Sequence, residues 1–385
     1  MLRNLIGGIL SSGIVFLGCS SSEPAPAGTG SGGAANLGTG GSGKGPVAPG
    51  SGGASTLPNM GTGGVAALGC EQLNASQLQG GQGTGGAGPL AAGSSGVAGS
   101  SGSAGASGSA VDCSRIPSGP FEAKLALDVF DGAEDIAFDG KGHLAGKKGD
   151  TLILAQSNGM STVLAPALPL AAGLRYLSDG NLVVALPSQG KVVRVSAAGE
   201  VSDWLMGISV PNGVYPDFSG NVWLTEFGAD RVLRVDAAGN ITPIAMGDAA
   251  KRANGILFDE VRKLLFFTNY EEGRIRSVDV SGLGPFVANE AVVVRASKFD
   301  GLALDRCGHL YAVDNANDRL YRSRLNASGK VLCTELLASF PTSVANAQFG
   351  KGPGFDSATL YVTGEPGKVY AVPVGVPGVA VPMPP

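Results

Sequence analysis

From residue 120 onward, apolar and polar residues alternate in short runs separated by turn residues roughly every eight to twelve positions, a pattern of half-buried strands rather than helices. The clearest stretch reads Gly213-Val214-Tyr215, the turn Asp217-Phe218-Ser219-Gly220-Asn221, then Val222-Trp223-Leu224-Thr225, Arg231-Val232-Leu233-Arg234-Val235 and Asn240-Ile241-Thr242-Pro243-Ile244. This four-strand unit recurs. Its second strands align at Leu144, Leu182, Val222, Leu265, Leu310 and Leu360, with spacings of 38, 40, 43, 45 and 50 residues. Units of about that length suit the four-stranded blades of a propeller. The expected fold class is all-β, a six-bladed β-propeller over residues 113–385. The sixth unit has no fourth strand after Lys368-Val369-Tyr370-Ala371-Val372, whereas Phe121 to Phe130 offers a spare one. That N-terminal strand is expected to complete the last blade and remove the open edge.

The N-terminal part has a different composition. Residues 20–112 hold 28 glycines, four charged residues (Glu23, Lys44, Glu71 and Asp112) and no Phe, Tyr or Trp. Too little apolar surface is available there to offset the entropy of ordering the chain, so a disordered Gly/Ser/Ala-rich linker is expected. Residues 1–19 read as an export signal: Arg3, an apolar run ending in Val15-Phe16-Leu17, then Gly18-Cys19. Leu17-Gly18-Cys19 resembles the lipobox of bacterial lipoproteins, which implies lipidation at Cys19 and a cell-envelope lipoprotein, anchored in the outer membrane of a Gram-negative bacterium. Export makes Cys70, Cys113, Cys307 and Cys333 candidates for disulfides, with three possible pairings. Cys307 and Cys333 share one repeat, in turns expected at the same end of a blade, so that bond is the expected one. The net charge is −4 and no Lys/Arg-rich block occurs, which leaves nucleic-acid binding without support.

The candidate chemistry lies at a fixed offset. Five residues before the turn Asp, where the innermost strand of a blade begins, stand Glu134 (from Asp139), Asn212 (from Asp217), Asn254 (from Asp259) and Asp300 (from Asp305). Blade two breaks the pattern, Asp179 leading back to Leu174, and blade six lacks the spacing. Inner strands converge on the propeller axis, so side chains in one register come within reach of one point. Two carboxylates and two amide oxygens make a hard, all-oxygen set that suits one divalent cation, calcium first. An isolated Asn-Gly or Asp-Gly would mark only a turn. The only histidines, His143 and His309, fall in the turns at the opposite end of the inner strand.

The sequence resembles the regucalcin/gluconolactonase family over nearly all of residues 120–375. The resemblance is carried by Glu134-Asp135-Ile136-Ala137-Phe138-Asp139, Asn254-Gly255-Ile256-Leu257-Phe258-Asp259, Asp300-Gly301-Leu302-Ala303-Leu304-Asp305, and Phe349-Gly350 followed by Leu360-Tyr361-Val362-Thr363. It implies metal ligation by Glu134, Asn254 and Asp300, Asn212 beside the metal or substrate, a catalytic base at Asp300, and hydrolysis of a small-molecule lactone or ester by a monomer. Loops after the second strands should form the rim, from Lys147, Lys148, Gln189, Glu226, Tyr270, Asn315 and Glu365. Tyr270 and Asn315, with Asn212, are the candidate substrate contacts. Two departures stand out: Val210-Pro211-Asn212 lacks the Arg that sugar lactonases carry two residues before the blade-three Asn, and Asp135 replaces a family Gly. A non-catalytic envelope propeller with a structural cation is the competing function. A third is a lyase, since Gly220-Asn221-Val222-Trp223-Leu224-Thr225-Glu226 with Arg234-Val235-Asp236 resembles the streptogramin lyase repeat; the catalytic His of that family has no counterpart at the mouth.

Overall fold

The computed structural model describes Cys70, residues 111–294 and residues 297–385. The signal, Cys19 and the linker apart from Cys70, Val111 and Asp112 lie outside the described residues.

Among the described residues, 24 strands form six four-stranded antiparallel sheets. The innermost strands are β2 (Ile136–Phe138), β6 (Leu174–Tyr176), β10 (Pro211–Pro216), β14 (Ala253–Asp259), β18 (Phe299–Leu304) and β22 (Asn346–Phe349). Each touches the next and β22 touches β2, which closes a ring of six blades in chain order. Burial falls outward across a blade for the reason the pattern predicts. Second strands are almost wholly buried, as in β11 (Val222–Glu226); fourth strands face solvent over most of their length, as in β9 (Val201–Met206). Neighbouring blades meet through large side chains, including Trp223 stacked on Phe258 with ring centroids 5.0 Å apart.

The turn Asp of the repeat has a structural task. Asp217 Oδ1 accepts the Asn221 N–H at 2.8 Å, and Asp305 Oδ1 accepts the His309 N–H at 2.9 Å, satisfying amides the tight turn leaves unpaired. Both histidines belong to these far-end turns: His143 Nδ1 meets Asp139 Oδ2, while burial pushes His309 down to about 3 and its Nδ1 accepts the Leu325 N–H.

Strand β1 (Lys124–Leu127) pairs with β24 (Val369–Val372), Lys124 opposite Ala371 and Leu127 opposite Val369, so the N-terminal strand completes blade six. The chain after β24 does not end there. It crosses the far end of the channel, where Val379 N donates to Leu304 O at 3.1 Å and Lys351 Nζ donates to Val379 O at 2.8 Å. Val379, Val381, Pro382 and Met383 close over Phe138, Tyr176, Leu304 and Phe349.

The disulfide expectation is corrected. The bonds join Cys113 to Cys307 and Cys70 to Cys333, with Cα atoms 5.5 and 5.2 Å apart. Cys307 lies in the turn between the first and second strands of blade five, whereas Cys333 lies on its outermost strand, β21 (Val331–Ser339), opposite Arg324. At least two strand spacings, about 10 Å, separate such positions, beyond the reach of a disulfide at about 7 Å between Cα atoms. Turns at the same end of a blade are not adjacent when they sit at opposite sides of its width. Each cysteine instead takes a partner from the segment before the propeller, and Cys70, placed within the linker by composition, is bonded to blade five. Arg322 Nη2 reinforces this attachment by donating to Pro117 O at 2.6 Å.

Peptide mapping without reductant should recover Cys70–Cys333 and Cys113–Cys307. Cys113→Ser should lower unfolding stability by about 2–4 kcal/mol, because the lost bond closes a long loop.

Candidate active site at the channel mouth

Strand pairing fixes which residues are equivalent. Phe138, Tyr176, Pro216, Phe258, Leu304 and Phe349 lie opposite Leu144, Leu182, Val222, Leu265, Leu310 and Leu360. Four residues earlier, the ring reads Glu134, Ala172, Asn212, Asn254, Asp300 and Ala345. The blade-two position is thus Ala172 and not Leu174. Its turn starts at Leu177, whose N–H donates to Asn181 O as Asp217 N–H does to Asn221 O, so Asp179 is two residues too late to count from. Leu174 is a fully buried core residue whose N–H donates to Asp135 Oδ2.

Three of the oxygen-bearing residues sit in β-bulges. The pairing slips between Pro211 and Val214, between Ala253 and Ile256, and between Phe299 and Leu302, around Asn212-Gly213, Asn254-Gly255 and Asp300-Gly301. A bulge leaves its extra residue out of the ladder and re-aims the side chain. These Asn-Gly and Asp-Gly pairs are therefore not hairpin turns. Buried threonines hold the bulges. Thr225 Oγ1 accepts the Gly213 N–H at 2.7 Å and donates to Asn254 O of the next blade at 2.5 Å; Thr268 Oγ1 accepts Gly255 N–H at 2.8 Å and donates to Asp300 O at 3.3 Å. Thr363 repeats the link from blade six, donating to Ala133 O at 3.3 Å. All three stand three residues into their aligned second strands, a repeat signal that the turn-based count passed over.

At the mouth, Asn212 Nδ2 donates to Glu134 Oε1 at 3.2 Å, joining residues 78 positions apart. Burial raises the Asp300 carboxyl well above its usual range, and the negative charges of Glu134 and Asp135 raise it further. Glu134 is also raised, by burial first and then by Asp135 and Glu365, against the Asn212 hydrogen bond and Lys147. Burial likewise raises the Tyr270 phenol, helped by the charges of Asp300 and Glu134 among others. Asn254 is buried, and its Oδ1 has no hydrogen-bond partner, one of two such buried side-chain atoms among the described residues. Asp135 lies beside this group and is held from two blades: Arg175 Nη1 of blade two pairs with its Oδ2, and the Ile136 N–H of its own blade donates to its Oδ1 at 2.8 Å.

The rim residues divide. Tyr270 OH donates to Asn315 Oδ1 at 2.6 Å, and Asn315 Nδ2 donates to Val344 O at 2.9 Å. Lys147 and Glu365 act electrostatically on Glu134. Glu226 is occupied structurally, by the Ser209 N–H at 2.6 Å and by Arg231 Nε at 2.5 Å. Among the described residues, no three of His, Cys, Asp and Glu are grouped to hold a metal. The donor set at the mouth is instead mixed, carboxylate and amide, and its oxygen chemistry together with the orphaned Asn254 Oδ1 fits a hard cation such as calcium.

Fold and site together define a six-bladed propeller with paired acidic and amide residues at one mouth. Solved structures of the same architecture include a gluconolactonase from Xanthomonas campestris, at 18% identity over 66% of this chain and 89% of that one, TM-score 0.55. A calcium-binding protein, regucalcin, from Agrobacterium tumefaciens is similar at 19% identity over 69% and 97%, TM-score 0.56, and a luciferin-regenerating enzyme at 18% over 68% and 99%, TM-score 0.56. No family model and no curated relative matches the sequence.

Thr225→Val keeps the side-chain shape but leaves the Gly213 N–H and Asn254 O unpaired in a buried site. Chemical denaturation should show a loss of about 1–3 kcal/mol.

Proposed function

We propose that the mouth binds one divalent cation, calcium by its donor chemistry, and hydrolyses a lactone or ester. The observation that carries this reading is Asn254 Oδ1, a buried oxygen without a partner in the ring position between Asn212 and Asp300. An unsatisfied buried acceptor is costly unless something binds there. The two raised carboxyls point the same way, since a dication among them would offset both burial and mutual repulsion. Glu134, Asn254 and Asp300 would hold it, with Asn212 orienting Glu134. Once bound, the cation supplies Lewis acidity toward a substrate carbonyl and lowers the pKa of a coordinated water. Asp300 is the residue to accept the proton of the attacking water. Tyr270, fixed by Asn315, bounds the space above. The likeness of fold to a gluconolactonase and a calcium-binding regucalcin supports the reading.

We also propose that the protein is exported and held in the cell envelope through Cys19. Its two disulfides support an oxidising compartment.

In a screen of lactones and esters, hydrolysis should depend on added calcium. Asp300→Asn should lower kcat at least about a hundredfold, the usual scale for a lost general base, and Asn212→Ala should lower turnover with little loss of thermal stability. Full calcium-dependent activity in Asp300→Asn would leave the non-catalytic binding propeller as the better reading.

A further inference from the structure

We propose that the blade-three and blade-four side of the mouth is an aromatic subsite, so that the substrate is a lactone or ester bearing an aryl group rather than a polyhydroxylated sugar lactone. The inference rests on the hydrolase reading above and adds a substrate class to it.

Three partly buried residues, Val210, Phe227 and Tyr270, stand together there, and the two rings form an aromatic wall. Phe227 N–H donates to Val210 O at 3.1 Å, which holds the two together, and the Phe227 and Tyr270 rings meet edge to face with centroids 6.3 Å apart. The Arg252 guanidinium lies over the Phe227 ring at 5.0 Å and the Lys298 ammonium over the Tyr270 ring at 5.1 Å, so each ring is held in place by a cation. The wall begins at the reacting centre, because Tyr270 is near enough to Asp300 and Glu134 to feel both charges.

Apart from Asn254 Oδ1, which is left for the cation, the polar groups of this wall are engaged within the protein, Lys298 Nζ pairing with Glu271 at 3.1 Å and the Arg252 guanidinium covering Phe227. The Tyr270 hydroxyl gives its proton to Asn315 Oδ1, Asn315 Nδ2 serves Val344 O, and both Glu226 oxygens serve Ser209 and Arg231. A sugar lactone laid on this wall would bury several hydroxyls without partners, each at a desolvation cost. A planar apolar group would lose only water. The polar side of the mouth lies opposite, where Lys147 and Glu365 flank Glu134. Asn212 reaches Glu134 directly, so the carbonyl approaches Asp300 and the Glu134–Asn212 pair from the rim, with its aryl substituent against Phe227 and Tyr270.

The test compares dihydrocoumarin, an aryl lactone, with glucono-1,5-lactone on the calcium-loaded full chain. The expected kcat/KM favours dihydrocoumarin by at least about tenfold, the scale at which one pocket contact discriminates. Phe227→Ala should raise KM for dihydrocoumarin about tenfold with a smaller change in kcat, and Phe227→Leu should recover part of the loss. Calcium affinity, measured by calorimetry on both variants, reports whether the mouth itself has survived. Preference for the sugar lactone, or Phe227 variants indistinguishable from the wild type, would overturn the subsite. If neither lactone is hydrolysed, the hydrolase reading fails and the subsite is decided by binding: calorimetric retention of 3-(2-hydroxyphenyl)propanoate, weakened by Phe227→Ala, supports it. No binding of that acid, or tighter binding of gluconate, contradicts it.

Discussion

At the propeller axis the innermost strands come so close that a side chain cannot fit between them. A Cβ at Gly255 would lie 1.9 Å from Asp300 O, one at Gly213 2.3 Å from Asn254 O, and one at Gly173 2.3 Å from Asn212 O. Glycine is required at these positions for space, not for an unusual backbone angle. The same contact fixes the main chain of each residue just before the glycine, through the neighbouring blade's amides and the threonines. The side chain of that residue is left at the mouth, outside the strand ladder. A constant offset in sequence thereby becomes a cluster in space, and Glu134, Asn212, Asn254 and Asp300 arrive at one end of the channel from four blades.

That crowding sets the electrostatics. Glu134 and Asp300 are forced into a buried site where the Glu134 charge raises Asp300, and Asp135, standing where four of the other blades have glycine, raises both. Asp135 is compensated by Arg175 and by two backbone N–H groups, an arrangement that locks blade one to blade two. Among the described residues, Glu134 and Asp300 have no comparable cationic partner at the ring itself, Lys147 acting on Glu134 from the rim. A site with surplus negative charge and an unpaired amide oxygen is suited to receive positive charge from outside the chain. The far end of the channel differs: apolar side chains of the C-terminal tail line it, together with Arg175, Gln348 and Lys351.

Much of this was legible in the sequence because it is periodic. Alternation gave the strands, repeat spacing gave six blades, and the unfinished last repeat gave the closing role of β1. The register residues followed from counting back from a turn Asp whose hydrogen bonds pin the turn, and the count failed in blade two, where Leu177 takes that place. Features that are not periodic were hidden. The disulfides depend on how a segment outside the repeats docks on blade five, the tail's course depends on packing across six blades, and the occupation of Glu226 by Ser209 and Arg231 depends on loop geometry. The bridging threonines were visible in principle, at a common offset in three second strands, but their role requires knowing that the next blade's carbonyl lies 2.5 to 3.3 Å away.

The central claim is that these residues form a single cation site. Its most direct measurement is a crystal structure of the calcium-soaked protein, with anomalous scattering from a lanthanide substitute to locate the ion. One peak is expected at the mouth, with oxygens of Glu134, Asn254 and Asp300 at about 2.3–2.6 Å from it. Full occupancy of a cation elsewhere, with Asn254 Oδ1 still unbound at saturating calcium, would contradict the account.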